Sequence, residues 1–192
     1  AVSNGSNASS VIVYRDLNVS GTFKLGDKMS LVMYDDDAKV IGNITKFERS
    51  TNLNNQFDFT YWSSPVDAAK VENVFSGVRP GRAYYFDQSK TTASDPNNDP
   101  EGTYWNVWVR ASGDMKPGRG YATEASDNSA NRHIVSFEGQ PNNGVIREQI
   151  HYNEDNDNEN DWNLIGNPYP SAIDINNFLD VNAGVIEYDI FL

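Results

Sequence analysis

Short runs that alternate between apolar and polar residues make up most of the chain, and clusters of Gly, Asn, Asp, Ser and Pro separate them. A period of two is typical of strands with one buried face, and closely spaced turn residues are typical of sandwiches and barrels. The pattern therefore predicts an all-β fold, a jelly-roll-like β-sandwich with little helix. The clearest strand candidates are VIVYRDLNV (11–19), SLVMY (30–34), ITKFERS (44–50), GRAYYFDQ (81–88) and GTYWNVWVR (102–110).

Two segments give more specific expectations. In QFDFTYWSSP (56–65), Phe57, Phe59 and Tyr61 recur with a strict period of two, which predicts that all three face the core. The segment HIVSFEGQPNNGVIREQIHY (133–152) is predicted to be a β-hairpin, because the glycine, proline and asparagine at its centre can supply the backbone angles of a turn.

One short helix is predicted near residues 171–180, inside the segment WNLIGNPYPSAIDINNFL (162–179). The first proline lacks an amide proton and ends the apolar run before it. Ser171 then fits the N-cap and Asp174 the third helical position, where their oxygens can accept hydrogen bonds from unpaired amides. We hypothesise that this segment is structural: its helix buries one apolar side and closes an end of the sandwich, and Tyr169 packs under the loop.

The expected domain organisation is simple. Residues 1–20 begin with small polar residues and are assigned to a linker or frayed N-terminus, and residues 21–192 to a β-rich module. A division of that module near 56–60 is an alternative, because the preceding TNLNNQ contains only loop-forming residues. The chain has no initiator methionine and stops within the strand-like GVIEYDIFL, so we expect it to be a fragment of a longer protein.

Charge and residue usage exclude several classes of function. The net charge is −12, with 15 basic and 27 acidic residues, which disfavours binding to a phosphate backbone, so no nucleic acid partner is expected. The chain has no cysteine, which excludes disulfides, thiolate metal sites and a cysteine nucleophile. No apolar run approaches the 18 or so residues of a membrane span, and membrane insertion is not expected.

Signatures of catalysis are missing from the sequence. It has two histidines, no G-x-S-x-G elbow, no P-loop and no G-x-G-x-x-G fingerprint. His133 and His151 would face each other across the predicted hairpin and could hold a metal ion, although surface histidines are the commoner explanation. The acidic residues cluster in loops rather than on rigid elements around a cleft. The sequence therefore predicts a non-catalytic protein with no catalytic residues, and an enzyme domain is the weaker alternative.

Two acidic loops are candidate calcium sites, because oxygen ligands at alternate positions suit this ion. The match to a known calcium loop is partial, since the glycine and the bidentate glutamate of an EF-hand are missing. The other explanation is that an acidic protein solvates its loops with such residues. The candidate ligands are Asp155, Asp157, Glu159 and Asp161 in one loop, and Asp95, Asn97 and Asp99 in the other.

Aromatic residues are the remaining candidates for ligand binding. In YWNVWVR, Tyr104 and Trp108 have one parity and Trp105 the other, so at least one tryptophan should point away from the core. Exposed Trp and Tyr rings can stack on sugar rings, whereas packing in the core is the commoner role of a large aromatic. The predicted ligand-binding residues are Tyr104, Trp105, Trp108 and Trp62.

Four motifs resemble one group of bacterial proteins in content and order. These motifs are FDFTYWSSPV (57–66), MKPGRGY (115–121), FEGQPNNGVI (137–146) and WNLIGNPYPSAIDINNFL (162–179). They are similar to motifs in Bacteroidetes and flavobacterial proteins that the type IX secretion system exports, which include cell-surface and gliding-motility adhesins. NLIGNPYPSAID is the most specific of them. The resemblance covers about residues 20–192.

The resemblance implies an extracellular or cell-surface location, a role in cell adhesion or display, and the secretion machinery of the parent protein as a partner. It assigns no catalytic residue. We therefore expect a non-catalytic module of a secreted or surface-displayed adhesin-like protein, stabilised by calcium and able to bind an extracellular glycan or surface ligand. The alternatives are a carbohydrate-binding module of a polysaccharide-degrading enzyme, which a row of exposed aromatics on one sheet would favour, and a spacer without a ligand.

Overall fold

The computed structural model describes residues 9–42, 45–53, 55, 57–90, 107–126, 132–152 and 162–186. Within these ranges the protein is all-β and sandwich-like, as the period of two predicted. None of the helices in these ranges is long and apolar enough to cross a membrane. The helices are α1 (Val71–Val74), α2 (Ile175–Val181) and a 3₁₀ turn (Gln88–Lys90). The strands are β1 (Ser9–Val13), β2 (Leu17–Val19), β3 (Phe23–Leu25), β4 (Met29–Met33), β5 (Val40–Gly42), β6 (Thr45–Asn52), β7 (Thr60–Trp62), β8 (Ala83–Phe86), β9 (Trp108–Arg110), β10 (Tyr121–Thr123) and β11 (Arg132–Glu138).

The first six strands form two turns of a coil. β1 pairs with β4, β2 with β5 and β3 with β6, and all three pairs are parallel. We call β1 to β3 the first rung and β4 to β6 the second rung. This pairing was not predicted from the sequence. Residues 1–20 were predicted to be a linker or frayed N-terminus, whereas β1 and β2 lie within that segment.

The two rungs approach closely at β5. Gly42 has φ +122°, a conformation that favours glycine, and a Cβ placed there would lie 1.9 Å from the carbonyl oxygen of Val19 in the first rung. Any side chain at this position would collide with backbone and force the rungs apart. This glycine therefore sets the contact between the rungs.

β11 forms a seven-residue antiparallel ladder with β6, and this corrects the predicted hairpin. Residues 145–152, the expected second strand of that hairpin, form no strand. The chain turns away after β11, where the Gly139 amide donates to the Thr45 carbonyl at 3.1 Å and the Asp67 amide to the Gln140 carbonyl at 2.8 Å. β6 therefore pairs with β3 on one side and β11 on the other.

A four-stranded antiparallel sheet in the order β7-β10-β8-β9 packs against the coil. The Trp62 ring of this sheet meets His133 of β11 edge to face, with ring centroids 5.2 Å apart. The domain boundary considered near 56–60 stays a prediction. One core cluster contains residues of both the coil and the four-stranded sheet, and thus residues from both sides of that boundary. Its buried members are Leu25, Met29, Leu31, Val40, Phe47, Trp62, Val66, Ala69, Val71, Val74, Phe75, Val78, Met115, Tyr121, Val135 and Phe137.

The predicted helix forms, but its start and its packing differ from the prediction. Asp174, not Ser171, is the N-cap of α2, and its carboxylate accepts hydrogen bonds from the amides of Asn176 at 2.9 Å and Asn177 at 3.2 Å. No residue of α2 is fully buried. Ile175, Phe178 and Leu179 are partly buried, whereas Ile173, which was predicted to join them, is exposed. The helix therefore lies near the surface, and its role in closing an end of the sandwich stays a prediction.

Candidate functional site

The outward face of the four-stranded sheet presents an unusual number of aromatic residues. Ala122 lies between Tyr61 and Tyr84 in the strand register. Tyr84 in turn lies opposite Arg110, so these residues share one face. Other residues of the same parity along each strand share that face too. Its aromatic members, called the aromatic face below, are Phe59, Tyr61, Tyr84, Phe86 and Trp108.

The rings of the aromatic face contact one another and solvent. Phe59 and Tyr61 are 47% and 62% exposed. The Phe59 and Tyr84 rings lie 6.2 Å apart, and those of Phe86 and Trp108 lie 5.3 Å apart in an edge-to-face arrangement. Strands are spaced by about 4.8 Å, so Tyr61 and Tyr84 are about 10 Å apart across β10. The result is an aromatic surface that is most exposed at Phe59 and Tyr61 and partly buried at Tyr84, Phe86 and Trp108.

This arrangement corrects the predicted orientation of Phe57, Phe59 and Tyr61, which are exposed rather than buried. The opposite parity faces the core because Trp62 belongs to it. The Trp62 ring lies 6.4 Å from the Phe75 ring, and its Nε1 donates to the Thr123 hydroxyl at 3.0 Å. A buried indole with a satisfied N–H decides the orientation of the strand.

Arginines border the aromatic face around a buried carboxylate. Glu124 accepts hydrogen bonds from Arg79, one of them from Nε at 2.9 Å, and its other oxygen lies 3.6 Å from Nε of Arg82. The Arg79 guanidinium also lies 5.1 Å from the centre of the Phe57 ring, in cation–π geometry. Arg110 extends this border, and its guanidinium lies beside Gly81. A Cβ atom placed on Gly81 would be 3.4 Å from the guanidinium carbon of Arg110. This rim can donate hydrogen bonds beside the rings.

A polar pocket of about 310 Å³ lies at the end of β8, with Tyr85 and Phe86 among its lining residues. Asp87, Arg119 and Glu148 line it, together with other residues. The Arg119 Nε donates to Glu148 at 3.0 Å, and the guanidinium lies 4.8 Å from the centre of the Tyr85 ring. Because Tyr85 has the parity opposite to Tyr84 and Phe86, this ion pair lies on the side of the sheet away from the aromatic face.

The predicted ligand-binding residues separate in the structure. Trp108 lies on the aromatic face, whereas Trp62 is buried on the opposite side of the sheet, so the prediction for Trp62 was wrong. Tyr104 and Trp105 lie outside the described residues. The sequence analysis missed Tyr84 and Phe86, although three consecutive aromatics in a strand, AYYF, require that at least one of them points outward.

The candidate calcium ligands Asp155, Asp157, Glu159, Asp161, Asp95, Asn97 and Asp99 all lie outside the described residues. Among the residues that are described, no group of three or more His, Asp or Glu side chains could hold a metal ion. The suggested histidine pair does not form as predicted. His133 is 2% exposed within the core, whereas His151 is exposed in the segment that forms no strand.

Three of the four motifs meet at a junction centred on the buried side chain of Asn142. Its amide nitrogen donates to the Ser64 carbonyl at 2.9 Å and to the Pro168 carbonyl at 2.8 Å. Its backbone amide donates to the Pro65 carbonyl at 2.9 Å. We call these contacts the Asn142 junction. It joins three segments that are distant in sequence, and it leaves the Asn142 side chain no spare donor.

The GNPYP segment continues this junction to the coil. The Tyr169 hydroxyl donates to the Gly144 carbonyl at 2.7 Å, which agrees with the hypothesis that Tyr169 packs under a loop. The Pro170 carbonyl accepts from the Leu31 amide at 3.0 Å and from the Arg49 guanidinium at 3.4 Å. The motifs that define the resemblance therefore hold the two parts of the fold together.

Burial shifts the pKa of two core groups, and hydrogen bonds shift that of a third. Burial lowers the pKa of His133, whose Nδ1 has no hydrogen-bond partner among the described residues. Burial also raises the pKa of Tyr121, although its hydroxyl accepts from the Lys116 amide at 2.7 Å. Burial acts to raise the pKa of Asp27, but hydrogen bonds from Ser50 and Arg132 outweigh it and the pKa is lowered. All three groups lie away from the aromatic face.

Comparison with known proteins identifies a family and no function. No curated protein and no solved structure matches the chain. Residues 4–192 match the family described as "Domain of unknown function (DUF8693)". Because this match covers nearly the whole chain, the chain belongs to the DUF8693 family.

Proposed function

We propose that this chain is a non-catalytic module of a secreted or surface-displayed bacterial adhesin-like protein, and that it binds an extracellular glycan on the aromatic face. The observation on which the proposal depends is the set of five aromatic side chains on the outward side of one sheet. The similarity of its four motifs to exported bacterial proteins supports the extracellular location.

The chemistry of the aromatic face suits a glycan. A sugar ring has an apolar side formed by C–H groups, which can stack on Tyr61 and Tyr84, and hydroxyl groups at its edge. Those hydroxyls require hydrogen-bond partners, and the arginine rim provides donors. A soluble protein rarely exposes so many large rings together unless the patch binds something.

Calcium is proposed as a structural ligand of the acidic loops, outside the described residues. If its site supports the aromatic face, its removal will weaken glycan binding. If it only stabilises the loops, its removal will lower the melting temperature and leave the affinity of the folded protein unchanged.

The test is a glycan-array screen of the purified chain, once with calcium and once with a chelator. It is followed by titration calorimetry with the best saccharide. The informative variant carries Tyr61→Ala and Tyr84→Ala. A control carries Tyr14→Ala and Tyr34→Ala, because these two tyrosines are also exposed and their rings stack 5.0 Å apart on a different part of the molecule.

We expect saccharide binding that the aromatic-face variant loses and the control retains. Loss of binding in the control alone would place the site at Tyr14 and Tyr34. No binding to any saccharide by a correctly folded chain would reject the glycan proposal and favour a protein ligand or a spacer.

A further inference from the structure

The first rung has an open edge. Its strands β1, β2 and β3 pair with the second rung, and within the described ranges no strand pairs with their other edge. Three parallel ladders end together at this edge. The open edge therefore comprises all three strands of the first rung rather than a single exposed strand.

The backbone of β1 presents unpaired groups to this edge. The Tyr34 amide in the second rung donates to the Val13 carbonyl at 2.9 Å, so the polar groups of Val13 point toward β4. The amide and carbonyl of one strand residue point to the same side, and those of the next residue to the other. Ser10 and Ile12 therefore direct theirs to the open edge, where no described strand pairs with them.

The interior of the coil is also incomplete at this end. In the second rung, Leu31 and Val40 are 1% and 2% exposed. Their neighbours in the first rung, Val11 and Leu17, pack on the same core but stay partly exposed. A further layer of side chains stacked on Val11 and Leu17 would bury these two residues, just as Val11 and Leu17 bury Leu31 and Val40 in the second rung.

The edge lacks the features that usually prevent pairing with another chain. Such features are charges, prolines, bulges or a covering helix. The strands of the first rung have the sequences SSVIV, LNV and FKL, and contain no proline. The one charged residue among them, Lys24, is paired with Glu48 of the second rung at 2.7 Å. Stacked repeats normally end in a polar cap, and the described residues show none here.

We propose that the first rung is a docking surface for a third parallel rung. Its occupant is an extended polypeptide segment of about 20 residues with apolar side chains at its inward positions. The length follows from the existing repeat, in which Ser9 lies beside Met29, 20 residues later. The parallel direction follows from the three existing ladders, which the new rung continues. This proposal does not depend on glycan binding.

The test inserts a second copy of residues 9–28, SSVIVYRDLNVSGTFKLGDK, between residues 8 and 9 of the whole chain. The copy can stack on the first rung as the first rung stacks on the second. We expect the amides of Ser10 and Ile12 to exchange hydrogen at least about tenfold more slowly, and the melting temperature to rise by about 4 °C or more. A matched control inserts the same segment with serine at the copied positions of Val11, Val13, Leu17, Val19 and Phe23.

The proposal requires slower exchange with the apolar copy and little change with the serine copy. Equal protection by both insertions would overturn it, because apolar stacking would not be needed, and so would no protection by either. Protection of Ser10 and Ile12 in the unmodified chain that grows with protein concentration would assign the edge to a second copy of the chain. Protection independent of concentration would show that the edge is already covered.

Discussion

The aromatic face and the Asn142 junction reverse the usual distribution of residues. On the aromatic face, rings such as Tyr61 are exposed, whereas in the junction a polar amide is buried with all its donors used. Three of the four motifs meet at the junction, where their residues hold the fold together. The first of these motifs also contains Phe59 and Tyr61, which are exposed on the aromatic face. A motif can thus serve the architecture at one residue and supply a proposed binding surface at another, and only the fold separates the two.

The sharpest test of this difference uses two tryptophans of the same sheet. Trp62→Ala empties a buried site and is expected to cost about 3–5 kcal/mol of unfolding free energy. Trp108→Ala removes a half-exposed ring of the aromatic face, so stability should change by much less, while glycan affinity should fall at least about tenfold, or about 1.4 kcal/mol. Urea unfolding and titration calorimetry measure the two effects. Equal loss of stability in both variants would contradict the separation of the two faces.

The junction itself is tested by Asn142→Ala. The change leaves the Ser64 and Pro168 carbonyls without their donor in a buried place, and we expect a loss of about 3 kcal/mol in urea unfolding. Asn143→Ala is the matched control, because that side chain also donates to carbonyls but water can replace it. The control should cost about 1 kcal/mol. A similar cost for both would mean that burial of the Asn142 side chain adds nothing.

The buried imidazole beneath the sheet makes stability depend on pH. Burial lowers the pKa of His133, so the folded state favours the neutral ring, while the unfolded chain titrates near pH 6.5. The contribution of the neutral His133 ring to the free energy of unfolding is complete above about pH 6.5. It is lost as the pH falls toward the pKa of the folded state, with a slope of up to about 1.4 kcal/mol per pH unit. Urea unfolding at several pH values should show this slope, and His133→Leu should remove it. The control His151→Gln should retain the slope. Loss of the slope in this control would show that His151, and not His133, causes the pH dependence.

The smallest expected effect concerns the cap of α2. Asp174→Ala removes the acceptor for two amides and should cost about 1 kcal/mol or less, because the helix lies on the surface. Ser171→Ala should cost little, since its side chain is not the cap. Thermal melting of both variants compares them directly. A larger loss for Ser171→Ala would restore the cap predicted from sequence.

The all-β class and most strand positions could be predicted because alternation is a local property of the sequence. The pairing of these strands could not. β6 alternates in the same way whether β3, β11 or another strand lies beside it, and the predicted hairpin failed because β11 pairs with β6. The parallel coil is missed for the same reason. Only the ladder between distant residues reveals it.

The sequence predicted a candidate site of exposed aromatic residues, but it did not identify most of the residues that lie on the aromatic face. Both parities of residues 57–62 carry large aromatics, so periodicity alone could not decide which set is buried. Which set is buried depends on Phe75 and His133, which come later in the chain and form the surroundings of Trp62. Of the residues predicted to bind a ligand, Trp108 lies on the aromatic face. The helix cap was misplaced by three residues because Ser171 and Asp174 are both good caps, and tertiary contacts select between them.

The hydrogen bond from the Leu31 amide to the Pro170 carbonyl has a consequence for the order of folding. A strand from the first fifth of the chain is completed by a residue from its last eighth, and closing so long a loop loses entropy before the contact forms. Topologies of this kind fold slowly. During synthesis the early strands must therefore wait, with β4 unpaired on that side, until nearly the whole chain has emerged. However quickly the first strands form, the contact between Leu31 and Pro170 can form only after residue 170 has been synthesised.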